Sequence, residues 1–202
     1  MRGTVFIFAK AARAGAVKTR LGADIGLGRA AALFRVMTAR TIAQSLGGDW
    51  QTIIAVDPAS AIGERNSCWP YQCERIAQGK GNLGERMARI ISQAPSGPVI
   101  IIGADAPQLR RRHLHEGFCA LRGADAVFGP AADGGFWLIG LAGRYAVPSL
   151  FANVRWSSEH TLEDTLRTLP ASFRVAKLAT LHDIDHASDL PHLGLRSTAS
   201  FV

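Results

Sequence analysis

The chain has 202 residues, 48% hydrophobic and 19% charged, with 21 glycines and nine prolines, which excludes a disordered chain and predicts a single globular domain over residues 1–202. A formal net charge of +7 and a pI near 10.0 favour anionic partners, nucleotide phosphates or nucleic acid, without choosing between them. Three cysteines without a CxxC pair, Cys68, Cys73 and Cys119, exclude a disulfide framework or a zinc knuckle and read as reduced cytosolic thiols.

"TVFIFA" (Thr4 to Ala9) is a short β-branched and aromatic run, and it predicts a buried first strand. It is too short for a signal-peptide core or a membrane span, and no later run approaches twenty apolar residues. The expectation is a soluble, cytoplasmic protein with no membrane partner. A small-residue loop with the cations Lys10, Arg13, Lys18 and Arg20 follows that strand. Aligned on Lys18-Thr19, it puts Ala12 and Val17 where a Walker loop needs glycine, so no backbone nest for phosphate is indicated. What remains is Lys10, Gly15, Lys18 and Arg20 between a strand and a helix. Such side chains can neutralise a phosphate chain directly, or form an ordinary solvated turn.

Leu27 to Leu46 is predicted helical and is stopped by Gly47-Gly48. "GLGRAA" (Gly26 to Ala31) matches GxGxxA but follows no predicted strand, which argues against a dinucleotide site. Gln51 to Asp57 reads as a second buried strand. Asn82 to Ala94 reads as a helix, with Asn82 as a possible cap and Glu85 three residues on. Gly97 to Asp105 is the most apolar strand, and its carboxylate arrives at the exit. A carboxylate there is costly unless paired, as Mg²⁺ or Mn²⁺ would pair it; alternatively Asp105 caps the turn before Pro107.

A helix from about Arg110 to Leu121 follows, opening on "RRRHLH", which reads as a solvated basic start. "ADAVFGP" and "GFWLIGL" are predicted strands around the loop of Asp133, Gly134 and Gly135, where Asp-Gly also signals a hairpin turn. "SSEHTLEDTLRTL" reads as a capped helix and "FRVAKLATL" as a late strand. In "HDIDHASD", Asp189 reads as a cap, while Asp183 or Asp185 could join Asp105 on a shared cation. The tail "GLRSTASFV" is expected to fray. Alternating strands and helices predict a mostly parallel sheet covered on both faces, with ligands beyond the strands' carboxyl ends.

Six stretches occur together in one order: "FAKAARAGAVKTRLG", "QGKGNLGERM", "IIIGADAPQL", "GPAADGGFWLIGL", "VRWSSEHTLEDT" and "DIDHASDL". On them the chain, from about Val5 to Leu190, resembles the transferases associated with radical-SAM/selenodomain proteins. More distantly it is similar to phospholactate and molybdenum-cofactor guanylyltransferases. The resemblance implies a three-layer α/β/α GT-A, or nucleotide-diphospho-sugar transferase, fold: a mostly parallel mixed sheet with one late strand reversed. It implies that Lys10, Gly15, Lys18 and Arg20 hold donor phosphates, with Lys18, Arg20 and Asp105 serving catalysis. Gln78, Gly81, Leu83 and Gly84 would line the base and ribose. Asp105 and Asp185 would bind Mg²⁺ or Mn²⁺ with Asp183 in support, and Asp133, Gly134 and Gly135 would face the acceptor. The chain departs from the family pattern at Ala12, usually Pro, at Ala104 and Ala106, often Ser or Thr, and at His186, often Thr. The changes at Ala104 and Ala106 remove hydroxyls beside the expected metal and bear on substrate choice.

The expected partners are a nucleotide donor, NTP or NDP-sugar, and a small acceptor; nucleic acid is not expected. Two chemistries fit, nucleotidyl transfer with loss of pyrophosphate and glycosyl transfer from an NDP-sugar. The alternative is a nucleotide-binding partner without turnover, or a basic nucleic-acid-binding module, which should lack paired carboxylates.

Overall fold

The computed structural model describes residues 2–64, 69–70, 72–143 and 149–193. Strand β1 (Gly3–Lys10) is buried on both faces, as its unbroken apolar run requires, and it lies between β2 (Trp50–Asp57) and β4 (Val99–Gly103), parallel to both. The edge strand β3 (Glu74–Ala77) pairs with β2. On the other side β6 (Phe136–Leu141) runs antiparallel to β4 and to β5 (Ala126–Pro130), and β7 (Val175–Lys177) closes the edge beside β5. The seven-stranded order is β3-β2-β1-β4-β6-β5-β7, and β6 is the one reversed strand among the described residues.

Alternation along the strands builds two cores. Val5, Ile7, Ile100 and Ile102 point to one face and meet Ile42 of helix α2 (Leu27–Ser45) and Leu114 of α4 (Arg111–Ala120). Phe6, Val99 and Ile101 point to the other face and meet Met87, Ile90 and Ile91 of α3 (Leu83–Gln93). Helices therefore cover both faces, and each fully buried Ile contributes about 1.5–3 kcal/mol. Asn82 caps α3 in a reciprocal box with Glu85, so the glycine-rich stretch before it enters the helix at a fixed angle.

Four elements differ from expectation. "KTRLGADI" forms its own helix, α1 (Thr19–Ile25), and Gly26 at φ 94° separates it from α2, so "GLGRAA" is a helix junction. The edge strand β3 is half exposed and shows no strong alternation to reveal it. The late strand keeps three residues because its one neighbour in the sheet, β5, gives it a ladder only there. Helix α5 (Thr161–Arg167) starts later than expected and has no side-chain cap at His160, since Ser157 and Ser158 belong to a preceding turn. Cys73 and Cys119 are free thiols, whereas Cys68 and the tail Gly194–Val202 lie outside the described residues. Among the described residues no helix is long and apolar enough to cross a membrane.

Candidate functional site

A cleft of about 720 Å³ opens at the carboxyl ends of β1 and β4, where a parallel sheet leaves room for ligands. Three chain segments bring their charges to it. The first is the loop after β1. Val17 and Leu21 are buried anchors in a small core with Phe34, Met37, Ile184 and Leu193, and Lys18 between them takes a left-handed conformation at φ 46°. That geometry turns its side chain inward. The Lys18 ammonium lies 2.8 Å from Asp105 Oδ2 and 2.8 Å from Asp185 Oδ1, with only 6% of the side chain exposed.

The second segment is the exit of β4, which carries Asp105. The third is residues 181–189. Ile184 and Leu193 pack into the Val17–Leu21 core, and Asp24 of α1 accepts the Ala187 N–H at 2.9 Å. Gln108 accepts the His182 N–H, and Asp189 accepts the N–H groups of Asp185 and His186. Asp189 lies in the first turn of the short 3-10 helix Ala187–Leu193 and reaches back to the N–H groups before it, so it fastens the entry of that helix. These contacts deliver Asp185 to Lys18 across 167 residues of sequence.

Electrostatics follow from this convergence. Burial alone would lower the Lys18 pKa, but the charges and hydrogen bonds of Asp105 and Asp185 outweigh it and raise the value well above that of an ordinary lysine. Burial pushes against ionised Asp105 too, and Lys18 above all holds it below the usual carboxylate range. Burial first, then Asp105 and Asp133, push Asp183 up to about 7, and the charge of Lys18 offsets them only in part.

The expected site residues separate into two groups. Lys10, Lys18, Arg20, Gln78, Leu83, Asp105, Asp133 and Asp185 line the cleft. Gly15, Gly81, Gly84, Gly134, Gly135 and Asp183 are not among its lining residues. A Cβ at Gly84 would lie 2.6 Å from Phe151 Cβ and 2.7 Å from Trp156, so glycine there lets those side chains in. Gly134 at φ 86° lies against the Glu159 backbone, where a Cβ would meet the carbonyl oxygen at 2.2 Å. Gly135 donates its N–H to Asp133 Oδ1, so the loop is also a hairpin turn between β5 and β6. Gln78 is buried and committed: it donates to the carbonyls of Ala9 and Ala55 and accepts from Arg86 Nη1 at 2.9 Å. It orients Arg86, which Asp57 also approaches at 3.5 Å.

Arg86 is a lining residue that sequence reasoning missed, although a cation one turn into a helix at a strand exit was a signal for it. Trp156, Ser157, Ser158 and Glu159 were missed as well: the stretch from Ser157 read as a capped helix, and Trp156 stands just before it. Their turn, with Ser157 at φ 58°, is clamped by Arg155, whose Nε and Nη2 reach Asp164 at 2.7 and 2.8 Å.

Mg²⁺ and Mn²⁺ commonly take one or two carboxylates and complete their shell with phosphate oxygens and water. Asp105 and Asp185 supply that set, and the seat between them already accommodates a positive group. Among the described residues no cluster of three or more His, Cys, Asp or Glu side chains is placed to hold an ion unaided. The residues therefore fit a hard cation that arrives with ligands of its own.

A family model described as "uncharacterized protein conserved in bacteria (DUF2064)" matches residues 39–158. The chain belongs to the DUF2064 family. No curated protein matches this DUF2064 chain by sequence. Among solved structures, a Desulfovibrio desulfuricans G20 protein provisionally named a nucleotide-diphospho-sugar transferase is 27% identical, with TM-score 0.82 over 100% of this chain and 90% of its own. The Mycobacterium tuberculosis H37Rv protein Rv0371c, in complex with manganese, is 18% identical, with TM-score 0.54 over 96% of this chain and 98% of its own. A CMP:2-keto-3-deoxy-manno-octonic acid synthetase complexed with CTP is 13% identical, with TM-score 0.56 over 95% and 96%. The DUF2064 chain therefore has the three-layer nucleotide-diphospho-sugar transferase fold. None of the three speaks to an association with radical-SAM proteins.

Proposed function

We propose that this DUF2064 protein is a metal-dependent transferase that moves a nucleotidyl or glycosyl group from an NTP or NDP-sugar to a small acceptor. The observation that carries the reading is the convergence of Lys18, Asp105 and Asp185 on one point of a cleft also lined by Lys10, Arg20 and Arg86. Phosphate-binding cations and a carboxylate pair in one place are what transfer from a diphosphate requires. A basic nucleic-acid module has no use for the pair.

Lys10, Arg20 and Arg86 bind the donor's phosphates, and Gln78 holds Arg86 at the angle it needs. Asp105 and Asp185 would hold Mg²⁺ or Mn²⁺, which would polarise phosphate oxygens and stabilise charge on the leaving group. Trp156 shields the acceptor from water. Asp133 spends Oδ1 on the Gly135 N–H and keeps Oδ2 for an acceptor O–H or N–H. In nucleotidyl transfer the acceptor hydroxyl gives its proton to Asp133 or to solvent as its oxygen bonds to the α-phosphorus, and the bond to pyrophosphate breaks. In glycosyl transfer that oxygen, its proton lost in the same way, bonds to the anomeric carbon and the bond to the nucleoside diphosphate breaks.

Asp133 and Glu159 in the lining suit an acceptor that presents hydroxyl donors to them. Thermal-shift titration of NTPs and NDP-sugars, with and without Mg²⁺ or Mn²⁺, tests the donor. Assays for released pyrophosphate and released nucleoside diphosphate then separate the two chemistries. Equal melting temperatures for every nucleotide with either ion would refute the reading.

A further inference from the structure

Lys18 cannot both grip a donor's phosphates and stay where it is. Its ammonium is spent on two carboxylate oxygens, each at 2.8 Å, on a side chain almost removed from water. Its neighbours in the loop differ: Arg20 keeps 64% of its side chain exposed and lies 3.5 Å from Asp185, and Arg13 pairs with Glu64 away from the cleft. Val17 and Leu21 are buried on either side of Lys18, and the Gly22 N–H donates to its carbonyl at 2.7 Å, so the backbone beneath the ammonium is fixed.

We infer that Lys18 is a resident counter-ion that keeps the divalent-cation seat closed, so that the cation enters only with a diphosphate able to receive the displaced ammonium. The inference rests on reading the cleft as a nucleotide-diphosphate site. Its physical basis is competition for the same two oxygens. A dication placed between Asp105 and Asp185 repels an ammonium held within hydrogen-bond reach of both, so one of the two positive groups must leave. Leaving without a new acceptor strands a buried ammonium, which costs far more than the exchange of one exposed cation for another. A diphosphate removes that obstacle, because its oxygens accept from the ammonium and also complete the ion's shell. Cation and diphosphate thus bind with positive coupling, and by reciprocity each tightens the other by the same factor. The lysine also keeps Asp105 and Asp185 from repelling each other while the site is empty of substrate.

Protein-bound Mn²⁺ measured by equilibrium dialysis tests this, with methylenediphosphonate as a stable diphosphate probe. Wild type should bind Mn²⁺ at least about tenfold more tightly with the probe than without it, a coupling of roughly 1.4 kcal/mol. Lys18→Met should bind Mn²⁺ alone at least tenfold more tightly than wild type and should lose most of the coupling. Lys18→Gln serves if the methionine variant does not fold, and near-UV circular dichroism reports folding for both. Equal affinity of wild type for Mn²⁺ with and without the probe overturns the inference, whatever the variants do. So does a folded variant that binds Mn²⁺ no better than wild type. Either result, with Mn²⁺ still bound, leaves the nucleotide-site reading standing. Absence of bound Mn²⁺ in every protein with and without the probe removes both.

Discussion

On the cationic side of the cleft, Lys18 is tied to a carboxylate 167 residues away and Gln78 to a carbonyl 69 residues away. On the carboxylate side, Arg155 is clamped to Asp164 nine residues on, and Asp133 to the Gly135 N–H two residues on. The first wall exists only once the sheet and the 181–189 segment are assembled. The second is a set of local turns laid on that scaffold. Long-range fastening fixes charges to the accuracy that the proposed phosphate and metal contacts demand. Local turns can be rebuilt without disturbing the sheet, as suits the wall proposed to choose the acceptor.

The comparison is tested most severely at Asp105. Asp105→Asn should lower transfer by about 100- to 1000-fold, as loss of a group that stabilises transition-state charge does. Folding should persist, because Lys18 keeps Asp185. Single-turnover rates beside a melting curve check this; an Asn variant with near-normal turnover would reverse the roles assigned to the walls.

Gly84 is where the walls meet, and Gly84→Ala forces Phe151 and Trp156 off their contacts. It should cost about 1–3 kcal/mol, with Tm falling roughly 2–4 °C for each kcal/mol. Donor KM and acceptor KM should both rise, whereas a change in one alone would show that the walls are independent.

Arg155→Gln should loosen only the second wall. We expect acceptor KM to rise about three- to tenfold with donor affinity unchanged, in line with the loss of one positioning contact. In wild type the Asp164 carboxyl is held well below the usual range, first by its hydrogen bond to the Arg155 side chain. A depressed folded pKa adds stability that is complete above the unfolded value of about 3.9 and is lost only as pH falls through the folded value. The clamp should therefore survive acidification from pH 7 to about pH 4. In Arg155→Gln the Asp164 signal, followed by carboxyl NMR, should move back toward the ordinary value.

Arg20→Ala should have the smallest effect. Its contact to Asp185 at 3.5 Å is exposed, and such pairs contribute about 0–1 kcal/mol. Donor affinity should fall less than about tenfold, and the difference should vanish near 1 M salt, where the screening length is about 3 Å. A loss as large as that of Asp105→Asn would place Arg20 among the groups that touch the reacting phosphate.

Much of the fold was legible because it rests on local signals. The apolar run within Gly97 to Asp105 read as a buried strand, and Asn82 with Glu85 three residues on read as a possible helix cap, as β4 and the capping box of α3 bear out. The edge strand β3 and helix α1 were not legible, since edges lack alternation and α1 is a seven-residue helix with no capping side chain. Of the site, Lys18, Asp105 and Asp185 were visible as residue types at strand exits. Arg86 and the turn of Trp156 to Glu159 were not, because their position depends on Gln78 and on the Arg155–Asp164 clamp.

The sequence by itself determined an α/β chain with apolar strands, a cationic loop after the first strand and a carboxylate after the strongest one, since hydrophobic periodicity and turn chemistry are properties of a few neighbouring residues. Only the tertiary structure decided that the loop's central lysine is buried between Asp105 and Asp185 while Arg20, two residues on, stays in water. A pairing energy between charges depends on distance and on exclusion of water, and both were set by Ile184 and Leu193 packing against Val17 and Leu21, residues more than 160 positions apart on the chain.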